Sequence, residues 1–256
     1  MICRKDKLTI KISPTREEMG KQAAFEAISV IRDFISYKEE VNIIFAAAPS
    51  QDDFLTALSQ YDAPWHRVNA FHMDEYIGLD ADAPQRFGNY LKRNFFDKVP
   101  LKQVFYIGKD PDSDSQEKEV SQYSALLKQY PPDIVFLGIG ENGHIAFNDP
   151  HVANFTDPDL VKVVDLDLAC RQQQVNDGCF ESLSQVPTHA YTLTIPALTM
   201  ARYLFCVVPT ERKAQAVYNT LYGEINESCP ASILRNQHNA TLYLDADSAG
   251  ELKVES

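Results

Sequence analysis

The chain is short of paired cysteines, of long apolar runs and of basic charge. Its five cysteines (Cys3, Cys170, Cys179, Cys206 and Cys229) are odd in number, scattered, and never in a Cys-x-x-Cys pair. That excludes a disulfide framework or zinc knuckle and points to reduced core thiols in the cytoplasm. The stretch from Met1 to Lys11 has no apolar h-region, so no secretion signal is expected. The longest apolar stretches, such as Ile43 to Pro49, fall far short of the roughly 20 residues of a membrane span. Basic residues number 24 against 36 acidic ones, a net charge of −12. Binding a polyanion needs a dense basic face, so nucleic acid and anionic membranes are poor partners. An anionic small substrate requires a local basic pocket set against the global field. No linker, internal repeat or low-complexity segment interrupts the chain.

What is present suits one folded unit. With 256 residues, 45% hydrophobic and 23% charged, the expectation is a single domain over 1–256 with a substantial core. Lys7 to Ile12 alternates as an edge strand does. Ser13-Pro14 reads as N-cap and first residue of a long helix ending near Tyr37, with Glu17 and Glu18 at its positive end. Short apolar runs predict strands at Val41–Ala47, Arg67–Met73, Gln103–Ile107, Asp133–Leu137, Leu160–Val164, Ala190–Thr194, Tyr203–Val208 and Ala240–Leu244. Helices are predicted at about Gln51–Gln60, Arg86–Phe96, Gln116–Gln129, 169–180 and 210–222, with a loop and helix start over Lys109–Glu119. This alternation predicts an α/β fold: a three-layer α/β/α sandwich with a mostly parallel, Rossmann-like sheet.

In open α/β sheets ligands sit beyond the carboxyl ends of the strands. Three such loops stand out: Ala46–Gln51, Met73–Leu79 and Gly138–Pro150. Gly138-Ile139-Gly140-Glu141-Asn142-Gly143 matches Gly-x-Gly-x-x-Gly, but Asn148-Asp149-Pro150 signals a turn where a dinucleotide site needs a helix. The glycines instead let backbone pass close to a ligand. His144 and Asp149 share the same loop. Histidine suits proton transfer near neutrality and a nearby carboxylate orients it; the alternative is a surface histidine in a turn. No third ligand has metal spacing beside His144 and His151, so no metal is expected. Asp74 and Glu75 end another strand and should point to different sides. One of them is a candidate general base, the alternative being a solvated acidic turn.

Phe71-His72-Met73-Asp74-Glu75-Tyr76-x-Gly78-Leu79, together with Gly138-x-Gly140-x-x-Gly143-His144-Ile145-Ala146-Phe147-Asn148-x-Pro150, resembles the glucosamine-6-phosphate deaminase/isomerase family. Val186-Pro187, Lys213-Ala214 and Cys229-Pro230-Ala231-Ser232 fit in order, and the likeness runs from about residue 8 to 250. The resemblance implies conversion of a phosphorylated amino sugar to fructose 6-phosphate and ammonia without a redox cofactor. It implies that His144 moves the ring-opening protons, Asp74 shuttles the C2 proton to C1, and Asp149 supports His144. Ser50, Gly138, Gly140, Lys213 and, more weakly, Arg171 would meet the substrate or its phosphate. The chain departs from the family in four places, one being that the family's phosphate-binding arginine has no secure counterpart, Arg171 lying nearest. Ala46-Ala47 replaces a glycine pair and crowds a phosphate at the helix N-terminus, where Ser50 is a candidate cap. Asn142 replaces an aspartate beside the histidine, and Asp149 a longer glutamate. The alternatives within the fold are a 6-phosphogluconolactonase, whose histidine loop differs from Ile145-Ala146-Phe147-Asn148, or another sugar-phosphate isomerase. A non-catalytic sugar-phosphate-binding protein is the alternative of a different class. Homo-oligomerisation is left open.

Overall fold

The computed structural model describes residues 1–108 and 116–252. Eight strands form one sheet in the order β1-β2-β11-β10-β7-β3-β4-β6. They are β1 (Ile2–Lys5), β2 (Leu8–Ile12), β3 (Val41–Phe45), β4 (Val68–His72), β6 (Gln103–Phe105), β7 (Ile134–Leu137), β10 (Tyr203–Val208) and β11 (Ala240–Leu244). Among the described residues of this sheet only the β1–β2 pair is antiparallel; β2 to β6 run parallel. The central strands are buried along their whole length because helices cover both faces, which is why they read as unbroken apolar runs. Their side chains alternate between two cores. Val41, Ile43, Phe45, Ile134 and Phe136 face one core, with α1 (Arg16–Tyr37) and α2 (Asp52–Ser59). Ile44, Phe71, Val135 and Leu137 face the other, with α4 (Gln116–Gln129), α6 (Ile195–Thr199) and α7 (Ala214–Tyr222). The three-layer α/β/α expectation therefore holds.

The sequence reading missed a second sheet. β5 (Asp74–Tyr76), β8 (Val161–Asp165) and β9 (His189–Leu193) form a small antiparallel sheet in the order β5-β9-β8. The strands predicted at 160–164 and 190–194 thus belong to this sheet and not to the parallel one. Periodicity reports which face is buried but not which sheet a strand joins. The chain leaves the main sheet at Met73, so Asp74 sits where the two sheets part.

Three local expectations are corrected. Leu8–Ile12 is not an edge strand, because the exposed strand β1 pairs outside it. The cap of α1 is Thr15, whose hydroxyl accepts the Glu18 N–H at 3.2 Å. Ser13 still extends the sheet register through its N–H to Leu244 O, so the helix starts later than Ser13-Pro14 suggests. The predicted helix 86–96 is α3 (Phe87–Leu91) followed by a π-helical turn, Lys92–Phe96. Of the predicted loop and helix start at Lys109–Glu119, residues 109–115 lie outside the described residues, and 116–119 open α4. No helix among the described residues is long and apolar enough to cross a membrane.

Candidate active site

One cleft lies beyond the carboxyl ends of the four central strands. Ala46, Ala47 and Ser50 reach it after β3, Asp74 after β4, Gly138, Gly140 and His144 after β7, and Lys213 after β10. Strand β9 ties two of these loops together. Thr192 pairs with Asp74 in the small sheet, and its hydroxyl accepts the Phe147 N–H at 3.1 Å. The Asn148 amide donates to Leu193 O at 2.8 Å and Ile145 O at 3.0 Å. The acid-bearing strand and the histidine loop are therefore held on one rigid element. No helix follows Gly143. The loop turns back on itself through an Ile145–Asn148 bridge, with Ala146 in the left-handed region at φ 51°, so the glycine motif does not open a dinucleotide site.

The histidine is oriented from behind. His144 Nδ1 lies 2.7 Å from Asn142 Oδ1 and 3.0 Å from Asp149 Oδ1. Both are acceptors in this arrangement, so Nδ1 carries a hydrogen, and in the neutral ring Nε2 is the nitrogen with the lone pair. Asn142 Nδ2 in turn donates to Asp149 Oδ1 at 2.9 Å. Burial pushes the Asp149 carboxyl up, but its hydrogen bond and charge pairing with His144 and the Asn142 amide bring it below the usual range. Gly140 makes room for the ring: a Cβ there would fall 2.1 Å from His144 Cε1. This is a packing reason for glycine, distinct from the conformational one at Gly143, where φ is +84°.

Asp74 and Glu75 diverge as alternation requires. Asp74 lines the cleft. Glu75 is turned away and accepts the N–H groups of Tyr76, Phe87 and Gly88, the last two opening α3. Burial, with the Glu75 charge adding to it, holds the Asp74 carboxyl well above the usual range. Such a group is suited to both take and return a proton. Behind it, His72 bridges the strand junction, with Nδ1 2.9 Å from Asp74 O and Nε2 3.1 Å from the Ile107 N–H. Nε2 must accept, so Nδ1 donates and the ring is neutral; burial pushes its pKa down to about 4.

The far part of the cleft is cationic at one point. Lys213 closes the 3₁₀ turn Glu211–Lys213, is 5% exposed, and its ammonium makes no hydrogen bond among the described residues. Burial lowers its pKa, partly countered by Asp177 and Glu141. Arg171 does not join it. On α5 (Leu168–Asn176) its guanidinium donates to Leu183 O at 2.7 Å and Val186 O at 2.9 Å, away from the cleft lining. Gln173 and Gln174 line the cleft instead. The signal for them was a buried stripe: Cys170, Gln173 and Gln174 are spaced i, i+3, i+4 and face inward together. Ser50 lines the cleft but caps no helix; its hydroxyl accepts from Gln51 Nε2 at 3.2 Å, and neither the 3₁₀ turn Pro49–Gln51 nor α2 has a side-chain cap.

Among the described residues, His144, Asp149 and Cys170 bring ligand atoms within 4.8 Å of one another. Their donors are turned inward. His144 and Asp149 hydrogen-bond each other, and burial holds the Cys170 thiol far above the thiolate range. The set fits a hydrogen-bonded support for the histidine better than a metal centre.

Residues 14–243 match the family model described as glucosamine-6-phosphate isomerases/6-phosphogluconolactonase. A glucosamine-6-phosphate deaminase of Listeria innocua is 34% identical over 228 residues, covering 89% of this chain and 94% of that one. One from Bacillus cereus is 31% identical over 241 residues, covering 94% and 88%. The solved structure of a monomeric glucosamine-6-phosphate deaminase superposes with a TM-score of 0.85 at 26% identity, covering 94% of this chain and 98% of that one. A 6-phosphogluconolactonase of Trypanosoma brucei, at 16% identity and a TM-score of 0.78, shares the fold. With the matched segment spanning nearly the whole chain, and with both long motifs converging on one cleft, the chain belongs to the glucosamine-6-phosphate isomerase/6-phosphogluconolactonase family.

Proposed function

We propose that the protein is an amino-sugar phosphate deaminase, converting glucosamine 6-phosphate, or a close hexosamine 6-phosphate, and water to fructose 6-phosphate and ammonia. The observation that carries this reading is that Asp74, His144 and Lys213 line a single cleft. Lys213 meets the phosphate, since a buried ammonium without a hydrogen bond gains most from an anion. His144 Nε2 takes the O1 proton and returns it to the ring oxygen, opening the pyranose to an aldehyde. The C2 proton, acidified by that carbonyl, passes to Asp74 while a proton of the C2 ammonium goes to O1, giving an enolamine; Asp74 then returns its proton to C1, leaving a C2 iminium. Water then hydrolyses the C2 imine and ammonia leaves. Asn142 and Asp149 hold the imidazole in the tautomer this requires, Ser50 and Gly138 offer hydroxyl and backbone contacts, and Gly140, whose N–H donates to His144 O at 2.9 Å, makes room for the ring. Ala46 and Ala47 narrow the approach to the α2 N-terminus. No redox change occurs, so the chemistry calls for no redox cofactor. The partner on this reading is a small phosphorylated amino sugar of the cytoplasm, in keeping with five free thiols.

The test is a substrate panel: ammonia release from hexosamine 6-phosphates, acid release from 6-phosphogluconolactone, and calorimetric binding of both. Ammonia formed together with fructose 6-phosphate supports the deaminase. Acid from the lactone without ammonia makes the protein a lactonase. Binding heat with neither product makes it a non-catalytic binder, and either result overturns the proposal.

A further inference from the structure

Asn142 is a neutral amide packed between the candidate base His144 and two carboxylates, Asp149 and Asp167. Asn142 is fully used. Its Oδ1 accepts from the His144 N–H at 3.1 Å and approaches Nδ1 at 2.7 Å. Its Nδ2 donates to Asp149 Oδ1 at 2.9 Å and reaches Asp167 Oδ2 at 3.5 Å. Both hydrogens and both lone-pair directions of the carboxamide thus have partners. Asp167 is fixed independently, because its Oδ1 caps α5 by accepting the Cys170 N–H at 2.6 Å. Carboxylate oxygens of Asp149 and Asp167 and a ring nitrogen of His151 lie within 4.8 Å of one another. A carboxylate at 142 has no hydrogen to offer and would crowd a third negative charge into this group.

We propose that Asp167 is a positioning residue for His144, acting through the Asn142 amide. With Asp149 it holds the amide so that oxygen faces Nδ1, and it supplies a negative charge that the neutral amide does not carry itself. The titratable groups around the imidazole are then Asp149 and Cys170 in reach of it, Asp167 and His151 beyond Asp149, and Asp74 and Lys213 on the shared cleft. The residue pair Asn142–Asp167 is one unit: amide at the first position, carboxylate at the second. The proposal rests on the reading of His144 as the ring-opening base, but its test does not need turnover.

The experiment is a titration of the His144 ring nitrogens by NMR in the free full-length protein, for wild type, Asp167→Asn, Asp167→Ala, Asn142→Asp and the exchange variant Asn142→Asp/Asp167→Asn. Asparagine keeps a capping oxygen for α5 but loses the charge. A removed negative neighbour disfavours imidazolium, so Asp167→Asn should lower the His144 midpoint by about 0.5 pH unit. Asp167→Ala should do the same and also lower the melting temperature. The exchange variant restores one amide and one carboxylate. If the wild type releases ammonia, this variant should recover kcat/KM by about threefold or more over Asn142→Asp alone. An Asp167→Asn midpoint equal to wild type, with Asp167→Ala affecting only the melting temperature, would show Asp167 to be a helix cap and nothing more. Absence of ammonia from the wild type with the midpoint shift present would sink the deaminase reading and leave the coupling standing.

Discussion

A lysine at 5% exposure with no hydrogen bond among the described residues is held at a cost in desolvation. Lys213→Ala should therefore weaken binding of the phosphorylated sugar about 10–150-fold while changing binding of the free sugar little, the worth of a charge-assisted hydrogen bond. Calorimetry with both ligands checks it; equal weakening would separate Lys213 from the phosphate. Gly140 is constrained by the ring it faces. The Cβ of Gly140→Ala would overlap the His144 imidazole, so the variant should stay folded but lose turnover by about 100-fold or more, the scale of a misplaced acid–base group. Turnover within about threefold of wild type would mean that the ring position does not matter to the chemistry. Asp74, Gly140 and His144 were legible in the sequence because their motif spacing is dense. Arg171 was a weaker candidate implied by the resemblance, and its guanidinium is turned to Leu183 O and Val186 O while Gln173 and Gln174 line the cleft. Asn142 was expected to touch His144 and does, but nothing in the linear sequence brings Asp167 to the same amide, 25 residues away.

At the scale of elements, the junction of β4 and β5 carries the acid and a titration of its own. His72 is neutral when folded, with a pKa pushed down to about 4, against about 6.5 when unfolded. The folded state binds fewer protons within that window, so stability is complete above about pH 6.5 and falls as pH drops towards 4, by about 3 kcal/mol in all. Protonation also removes the acceptor for the Ile107 N–H. Denaturant melts between pH 7 and 4 should show this loss in wild type and a flatter profile in His72→Gln; parallel profiles would contradict it. The central parallel strands were readable because burial on both faces makes them continuous apolar runs. β1 was not, since Ile2–Lys5 is exposed and holds no alternation to find. β5 was not, since three residues cannot establish a period.

For the whole molecule, the carboxyl ends of β3, β4, β7 and β10 converge on one place, and the loops after them supply a carboxyl, an imidazole and an ammonium to a chain of net charge −12. The layer architecture followed from alternating strands and helices. The second sheet did not, yet it is what aligns Asp74 with the histidine loop through Thr192. The central claim is that this cleft moves a proton between neighbouring sugar carbons by way of Asp74. Steady-state turnover of Asp74→Asn, paired with calorimetric binding of glucosamine 6-phosphate, tests it most directly. The amide fills the same space but has no usable basicity. Turnover should fall by about 10²–10⁴-fold or more with affinity largely kept, whereas activity within about threefold of wild type would remove Asp74 from the mechanism.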